Sequence, residues 1–273
     1  MDKDVSVQIY EVQTPCEAEA LVEIGVDTIG TVLLPDTNWK LPAVKETIDL
    51  VKKTASQSSL IPLFEDQDTI FAILDYYKPD IIHFCDDIHT IFIKKENVDK
   101  LVQLQRNVRK RFPEIKIMRS IPIAQSGFAH GVPTIKFGKM FDESSDYLLT
   151  DTLLKTETKT AAALQPVNGF IGITGITCDW DVAAQLVEVS RCPVILAGGI
   201  SPYNVLDGII HVGPAGIDSC TNTNAMDNNG CSVRFKKDIN KVKQLVRETQ
   251  KAKQILERTI YKLSGYRLSG ITS

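Results

Sequence analysis

Short apolar runs rich in β-branched residues alternate with segments of helical periodicity along most of this chain. The runs are nearly continuous in apolar character, which is typical of parallel strands buried on both faces. The predicted strands lie near 5–10, 27–33, 59–64, 80–85, 115–121, 146–151, 168–173, 193–197 and 215–219. The count is eight or nine, depending on how 168–173 is treated.

Helical segments lie between the predicted strands. The run Thr14-Pro15-Cys16-Glu17 combines an N-cap, a proline suited to the first helical position and a capping-box glutamate. The helix that it opens is predicted to end at Gly25. Apolar residues at helical spacing predict two further helices, over 96–111 and from Asp238 onward. Residues 264–273 carry no strong pattern and are expected to be irregular.

Strands and helices that alternate at this spacing predict βαβ units and a parallel sheet. Eight such repeats favour a closed (β/α)8 barrel, the TIM-barrel architecture, over an open sheet. We expect one domain over 1–273, with a helical extension from about 238 to 273. Connections 122–145 and 152–167 are longer than a barrel needs and follow strands. Because barrel sites are built at those strand ends, these connections are either lids or decorative loops.

Composition narrows the class of partner. Hydrophobic residues make up 43% and charged residues 24% of the 273 residues, and the net charge is -3. No basic stripe or long apolar span occurs, so neither nucleic acid nor a membrane is expected as partner. The N-terminus lacks an apolar signal region, which favours a cytoplasmic protein. Six scattered cysteines and four isolated histidines show no metal-ligand spacing, so no metal site is predicted.

The strongest local signal for a ligand is a pair of glycines after a buried strand. Gly198 and Gly199 follow 193–197 and precede a Ser-Pro helix start. Glycines let backbone N–H groups approach a ligand closely, and a helix N-terminus favours an anion. A barrel holds phosphate with the loops after its last two strands. The second loop contributes Ser219, Cys220 and Thr221, so a small phosphorylated metabolite is the expected partner.

Several segments, in order along the chain, resemble one enzyme family. The specific ones are LAGGISPYNV at 196–205, GIDSCTN at 216–222, Lys237-Asp238 and GITGITCDW at 172–180. Weaker ones are DIIHFCDD at 80–87, GVDTIG at 25–30 and QIYE at 8–11. Together they resemble phosphoribosylanthranilate isomerase over about residues 5–250. The resemblance implies a barrel of the ribulose-phosphate-binding type and leaves a homodimer open.

The resemblance implies an Amadori rearrangement that needs no cofactor. An acid opens the ring of a phosphorylated aminoaldose, and a base removes the proton from the neighbouring carbon. Asp151 occupies the acid position. Tyr10 stands where the family has its cysteine base, and Gln8 stands where it has a lysine. Three alternatives follow: the reaction is lost, Glu11 pairs with Asp151, or Cys85 supplies a thiolate.

Other departures concern substrate binding. The family's arginine after the second strand has no counterpart, and Lys40 is expected to replace its charge without its fork geometry. Thr174 and Gly175 lie in the segment similar to the family's GGTG turn and are expected to contact substrate. The alternative function is a catalytically altered or inactive barrel that binds a phosphorylated sugar-type ligand.

Overall fold

A computed structural model describes residues 5–35, 38–94, 96–154 and 169–269. Eight parallel strands form a closed barrel, in which β8 pairs with β1 from Ser6–Gly216 to Ile9–Ser219. The strands are β1 (Ser6–Ile9), β2 (Thr28–Leu33), β3 (Gln57–Pro62), β4 (Ile81–Phe84), β5 (Lys116–Ala124), β6 (Tyr147–Leu153), β7 (Val194–Leu196) and β8 (Gly216–Ser219). The predicted (β/α)8 architecture is confirmed.

Helices cover the outside of the barrel. They are α1 (Pro15–Ile24), α2 (Pro42–Val51), α3 (Gln67–Tyr77), α4 (Ile88–Ile93), α5 (Asp99–Arg111), α6 (Thr134–Phe141), α7 (Trp180–Val189), α8 (Val205–Val212) and α9 (Ile239–Ser269). The Thr14 side chain accepts a hydrogen bond from the Glu17 amide, and Gly25 ends α1 with a φ of 92°. Helix α9 packs on α1 and α8 through Val242 and Leu245.

Three expectations about irregular segments need correction. Residues 122–145 are not a long loop, because β5 continues to Ala124 and α6 occupies Thr134–Phe141. Helix α9 continues to Ser269, so 264–269 is not irregular. Residues 169–173 form no strand, because Gly169, Gly172 and Ile173 have positive φ values that extended pairing does not allow. Most of 152–167 lies outside the described residues.

An antiparallel hairpin follows β8 and was not predicted. Its strands are β9 (Asn224–Met226) and β10 (Ser232–Lys237). No regular alternation of apolar and polar residues marks these short strands. The hairpin nevertheless decides part of the site, because β10 carries Arg234 and Phe235 to the end of the barrel where β1 ends.

A chain of polar side chains crosses the inside of the barrel. The Tyr10 hydroxyl lies 2.5 Å from Ser59 Oγ and 2.8 Å from His83 Nδ1, and His83 Nε2 lies 2.8 Å from Ser120 Oγ. Burial, together with the nearby charge of Arg119, lowers the pKa of His83 to about 3. The imidazole is therefore neutral, with one nitrogen donating and the other accepting.

Gly30 makes room for the ring of Tyr10. A Cβ atom at position 30 would overlap three carbons of that ring. The backbone of β2 thus passes directly against the aromatic side chain that stands at the end of β1. This close approach explains how a tyrosine fits inside a barrel of eight strands.

We expect Gly30→Ala to destabilise the protein by about 1–3 kcal/mol, because the added methyl forces Tyr10 off its position in a packed interior. Tyr10→Cys in the same chain removes the obstructing ring and should cancel most of that penalty. Urea denaturation of the wild type, both single variants and the double variant measures the coupling. Strictly additive effects would contradict the proposed contact.

Candidate active site

A pocket opens at the C-terminal end of the barrel strands, where sites of this fold are built. The polar side chains in its lining are Glu11, His83, Asp151, Thr174, Asp218, Thr221 and Asn222. Gly172, Gly175, Gly198 and Gly199 bring backbone to the same pocket. The predicted acid, the predicted substrate turn and the predicted phosphate loops therefore meet at one place.

Two carboxyl groups line this pocket, the half-buried Asp151 on β6 and the buried Asp218 on β8. Asp151 Oδ1 accepts from the Thr152 amide at 2.9 Å, and Asp218 Oδ1 accepts from Gln8 Nε2 at 3.1 Å. Burial raises the pKa of each to about 7, and the charge of Asp218 also raises the pKa of Asp151. The two groups titrate as a coupled pair close to neutral pH.

The segment after β6 passes against the Asp151 carboxyl. Gly172 has a φ of 108°, and a Cβ atom there would overlap Asp151 Oδ2. A residue with a side chain at 172 would push the carboxyl away from its place in the pocket. The glycine therefore permits a close approach of backbone that partly shields the Asp151 carboxyl from water, and this shielding raises its pKa.

The predicted phosphate loops lie side by side. Gly198 and Gly199, with φ values of 85° and 65°, turn the chain after β7. Asn222, from the loop after β8, donates its side-chain amide to the Gly199 carbonyl at 2.9 Å and to the Gly175 carbonyl at 3.4 Å. One asparagine thus connects the turns after β6, β7 and β8.

Thr221, in the loop after β8, has a side-chain hydroxyl that makes no hydrogen bond within the described residues. Its Oγ1 is buried and has no hydrogen-bond partner among the described residues. A buried hydroxyl is costly without a partner, so a ligand atom that accepts a hydrogen bond suits this position. Ser219, also predicted as a phosphate ligand, does not line the pocket, because its buried hydroxyl donates to the Ile200 carbonyl at 2.7 Å.

Neither Tyr10 nor Cys85 is suited to act as the base. Both line the pocket, but burial raises the pKa of each well above its ordinary value. The charges of Asp86 and Asp151 raise the pKa of Cys85 further. Both side chains are therefore protonated at neutral pH.

Glu11 lines the pocket without forming the expected carboxylate pair with Asp151. Its Oε1 accepts from Nε of Arg234 at 2.8 Å and also from Nη2 of the same guanidinium. The carboxyl group that raises the pKa of Asp151 is that of Asp218. Asp151 therefore has a neighbouring carboxyl group, but it is that of Asp218 and not that of Glu11.

Lys40 is not among the residues that line the pocket. Its ammonium lies 5.2 Å from the centroid of the Trp39 ring and 5.8 Å from that of Tyr76. Trp39 itself packs edge-on against Tyr76. The expected replacement for the family's arginine is therefore engaged in an aromatic cluster on the outside of the barrel.

Three residues of the candidate site were not predicted from the sequence. Asp218 stands at a strand tip, as Asp151 does, and the same argument applied to GIDSCTN finds it. Asn222 occupies a position where the family has glycine, so its role as a connector has no local signal. Arg234 reaches the site only through the unpredicted hairpin.

The described residues contain neither a metal-binding cluster nor a membrane-spanning helix. Within 5–35, 38–94, 96–154 and 169–269, no group of three or more histidine, cysteine, aspartate or glutamate side chains is placed to hold a metal ion. In the same part of the chain, no helix has the length and apolar character needed to cross a membrane.

The chain is similar to several curated proteins named N-(5'-phosphoribosyl)anthranilate isomerase, whereas no family model matches it. N-(5'-phosphoribosyl)anthranilate isomerase 2 of Methanosarcina mazei is 35% identical over 134 residues, 49% of this chain and 49% of that protein. The similarity to the Methanocella arvoryzae enzyme also spans only 57% of that relative. The Methanosarcina acetivorans enzyme is 23% identical over 250 residues, 89% of this chain and 92% of the relative.

Solved structures agree on the fold. Phosphoribosylanthranilate isomerase from Thermotoga maritima has a TM-score of 0.63 at 18% identity, covering 90% of this chain and 99% of that one. A second structure of such an isomerase, bound to reduced 1-(o-carboxyphenylamino)-1-deoxyribulose 5-phosphate, has a TM-score of 0.62 at 17% identity, with the same coverage. The chain is a (β/α)8 barrel. Its sequence is similar to those of phosphoribosylanthranilate isomerases, over 49% of one relative and 92% of another.

The raised pKa of Asp218 has a consequence for stability. Its folded value of about 7 exceeds its ordinary value of 3.8, so the native state binds more protons than the unfolded state between those pH values. The stability that this group contributes is present at pH 4 and is lost as the pH rises through 7.

We therefore expect Asp218→Asn to be about 2 kcal/mol or more stabler than the wild type at pH 8 and nearly equal at pH 4. Denaturant unfolding across this pH range is the measurement. Asp207→Asn, at an exposed position of α8, is the matched control and should show no such trend. An equal gain at both pH values would contradict the buried, ionising carboxyl.

Proposed function

We propose that this protein catalyses the isomerisation of N-(5'-phosphoribosyl)anthranilate, an Amadori rearrangement that serves tryptophan biosynthesis. The observation that carries the proposal is the pair of pocket carboxyls, Asp151 and Asp218, whose pKa values are raised to about 7 beside the predicted phosphate loops. Catalytic acids and bases work best when their pKa lies near the working pH. A coupled pair near pH 7 holds one proton and one negative charge at that pH, so it offers an acid and a base together.

In this mechanism Asp151 is the acid, as its position in the family pattern indicates. It gives its proton to the furanose ring oxygen while the bond from that oxygen to C1 breaks. The nitrogen lone pair forms a C1=N double bond, which leaves a protonated Schiff base. Asp218, in its ionised form, takes the proton from C2, and those electrons form the enolamine. The C2 hydroxyl then gives its proton to Asp151 as the C2=O bond forms, and C1 takes the proton held by Asp218, which yields the aminoketose and restores both carboxyls.

The rest of the pocket supports binding of the phosphate. The loops after β7 and β8 meet through Asn222, and Thr221 Oγ1 is available as a donor. Thr174 and Gly175 approach the same place from the third loop, where Asn222 reaches the Gly175 carbonyl. The phosphate assignment of Gly198, Gly199 and Cys220 rests on their position in the lining.

A second candidate function is a non-catalytic barrel that binds a phosphorylated sugar derivative. The observation that favours it is the loss of a thiolate: Tyr10 is locked inside the barrel, and the Cys85 thiol is protonated. The binding function uses the same phosphate site as the isomerase but requires no proton transfer by Asp151. Turnover therefore separates the two functions, whereas binding does not.

We expect Asp151→Asn and Asp218→Asn each to lower kcat/KM for phosphoribosylanthranilate by about 100-fold or more, the usual contribution of one general acid or base. For the wild type, kcat/KM should peak near pH 7, because both carboxyls are protonated below it and both are ionised above it. Cys85→Ser is the control and should change kcat/KM little. Absence of turnover in concentrated wild-type protein would reject the isomerase and leave the binding function.

The phosphate site makes a separate prediction. Thr221→Val keeps the shape of the side chain but removes the hydroxyl, so we expect inorganic phosphate to bind about tenfold more weakly. Isothermal titration or thermal stabilisation by phosphate measures this. Ser219→Ala removes a neighbouring hydroxyl that faces the Ile200 carbonyl and should leave phosphate affinity unchanged. Equal effects of the two variants would place the anion elsewhere.

A further inference from the structure

Glu11 lines the pocket with a fully buried carboxylate, of which one oxygen accepts hydrogen bonds and the other has no donor among the described residues. Its side chain is 0% exposed. Oε1 is bound by Arg234, whereas Oε2 has no hydrogen-bond partner among the described residues. A buried carboxylate oxygen without a donor is costly. The idle oxygen belongs to a residue that lines the pocket, so a bound molecule is able to supply the missing donor.

The backbone at this position is held in a conformation that favours glycine. Glu11 has a φ of 62°, in the left-handed region, which costs a non-glycine residue on the order of 1 kcal/mol. This residue directly follows Tyr10 at the end of β1, and its left-handed turn goes with a side chain on the pocket wall. Strain that persists beside a pocket is the kind that accompanies function.

The hairpin holds Arg234 against Glu11. Phe235, the next residue on β10, packs into the apolar cluster at the pocket that includes Tyr10 and Phe170. Lys237 ends the strand, where its ammonium donates to the Cys220 carbonyl at 3.0 Å. The chain is therefore anchored directly after Arg234, and two nitrogens of the guanidinium bind Oε1 and orient the Glu11 carboxylate.

The Cys220 thiol is the nearest group of the protein itself to compete for this oxygen. Burial raises the pKa of this thiol, the charge of Lys237 lowers it, and Glu11 raises it through its charge and through a side-chain contact. That contact does not have the geometry of a hydrogen bond to Oε2. A thiol is a weak donor and does not replace a hydroxyl or N–H group.

The charge of Glu11 selects the ligand group. A carboxylate accepts hydrogen bonds and repels phosphate and carboxylate groups, so the partner of Oε2 is a neutral donor. Because Glu11 adjoins Cys220 of the phosphate loop, that donor is near the phosphate-bearing part of a ligand. We propose that Glu11 Oε2 accepts a hydrogen bond from a sugar hydroxyl of the phosphorylated ligand, and that Arg234 is the positioning residue for it.

This inference rests on the proposed function only through the phosphate-binding site, and turnover does not enter its test. The probes are ribose 5-phosphate and inorganic phosphate, which share the anion and differ in the sugar. Their affinities for each variant are measured by isothermal titration. The ratio of the two affinities isolates the contribution of the sugar.

We expect Glu11→Gln to weaken ribose 5-phosphate about tenfold and leave inorganic phosphate unchanged, because a charge-assisted acceptor is replaced by an amide. Glu11→Gly should give the same loss while it relieves the backbone strain, so a folding defect is not the cause. An unchanged ratio in both variants overturns the inference. If neither probe binds the wild type, the phosphate site, and with it the proposed function, fails instead.

Arg234 variants test positioning rather than contact with the ligand. In Arg234→Gln the Glu11 carboxylate loses the guanidinium that orients it, so the ratio of the two affinities should fall about as far as in Glu11→Gln. Arg234→Lys keeps the charge and should restore most of the contribution. An unchanged ratio in Arg234→Gln, or a loss that lysine does not rescue, would contradict the positioning role.

Discussion

Desolvation of two carboxyl groups at the mouth of a closed barrel is the constraint on which this site depends. Asp151 and Asp218 stand on β6 and β8, and only closure of β8 onto β1 brings Gln8 beside Asp218. The Gln8 hydrogen bond and the charge of Lys237 both lower the pKa of Asp218, but the effect of burial is larger. Burial therefore raises both pKa values to about 7.

The same end of β1 shows how the chain differs from its family pattern. A tyrosine in place of a cysteine is too large to stand at the pocket as a reactive group. It extends inward to Ser59 and His83, and Gly30 yields the space for its ring. In the proposed mechanism the base comes from β8 rather than β1, because the charge of Asp218 acts on Asp151.

The barrel and most of the pocket were predictable from sequence, and the reasons are physical. Buried parallel strands leave continuous apolar runs, and glycines at strand ends mark backbone that approaches a ligand. Lys40 and Ser219 do not line the pocket, because a side chain's direction depends on neighbours distant in sequence, such as Tyr76 and the Ile200 carbonyl. The hairpin strands show no regular alternation of apolar and polar residues, so the position of Arg234 in the site could not be predicted.

The hairpin also explains how Glu11 is tolerated. A buried carboxylate in a left-handed conformation carries two penalties, strain and desolvation, and Arg234 offsets the second. Without β10 the same carboxylate would be buried with no cation beside it. Residues 223 positions apart in the chain thus form one unit. Because that unit leaves one oxygen idle, it has the form of a binding device rather than a structural ion pair, whose oxygens are normally both satisfied.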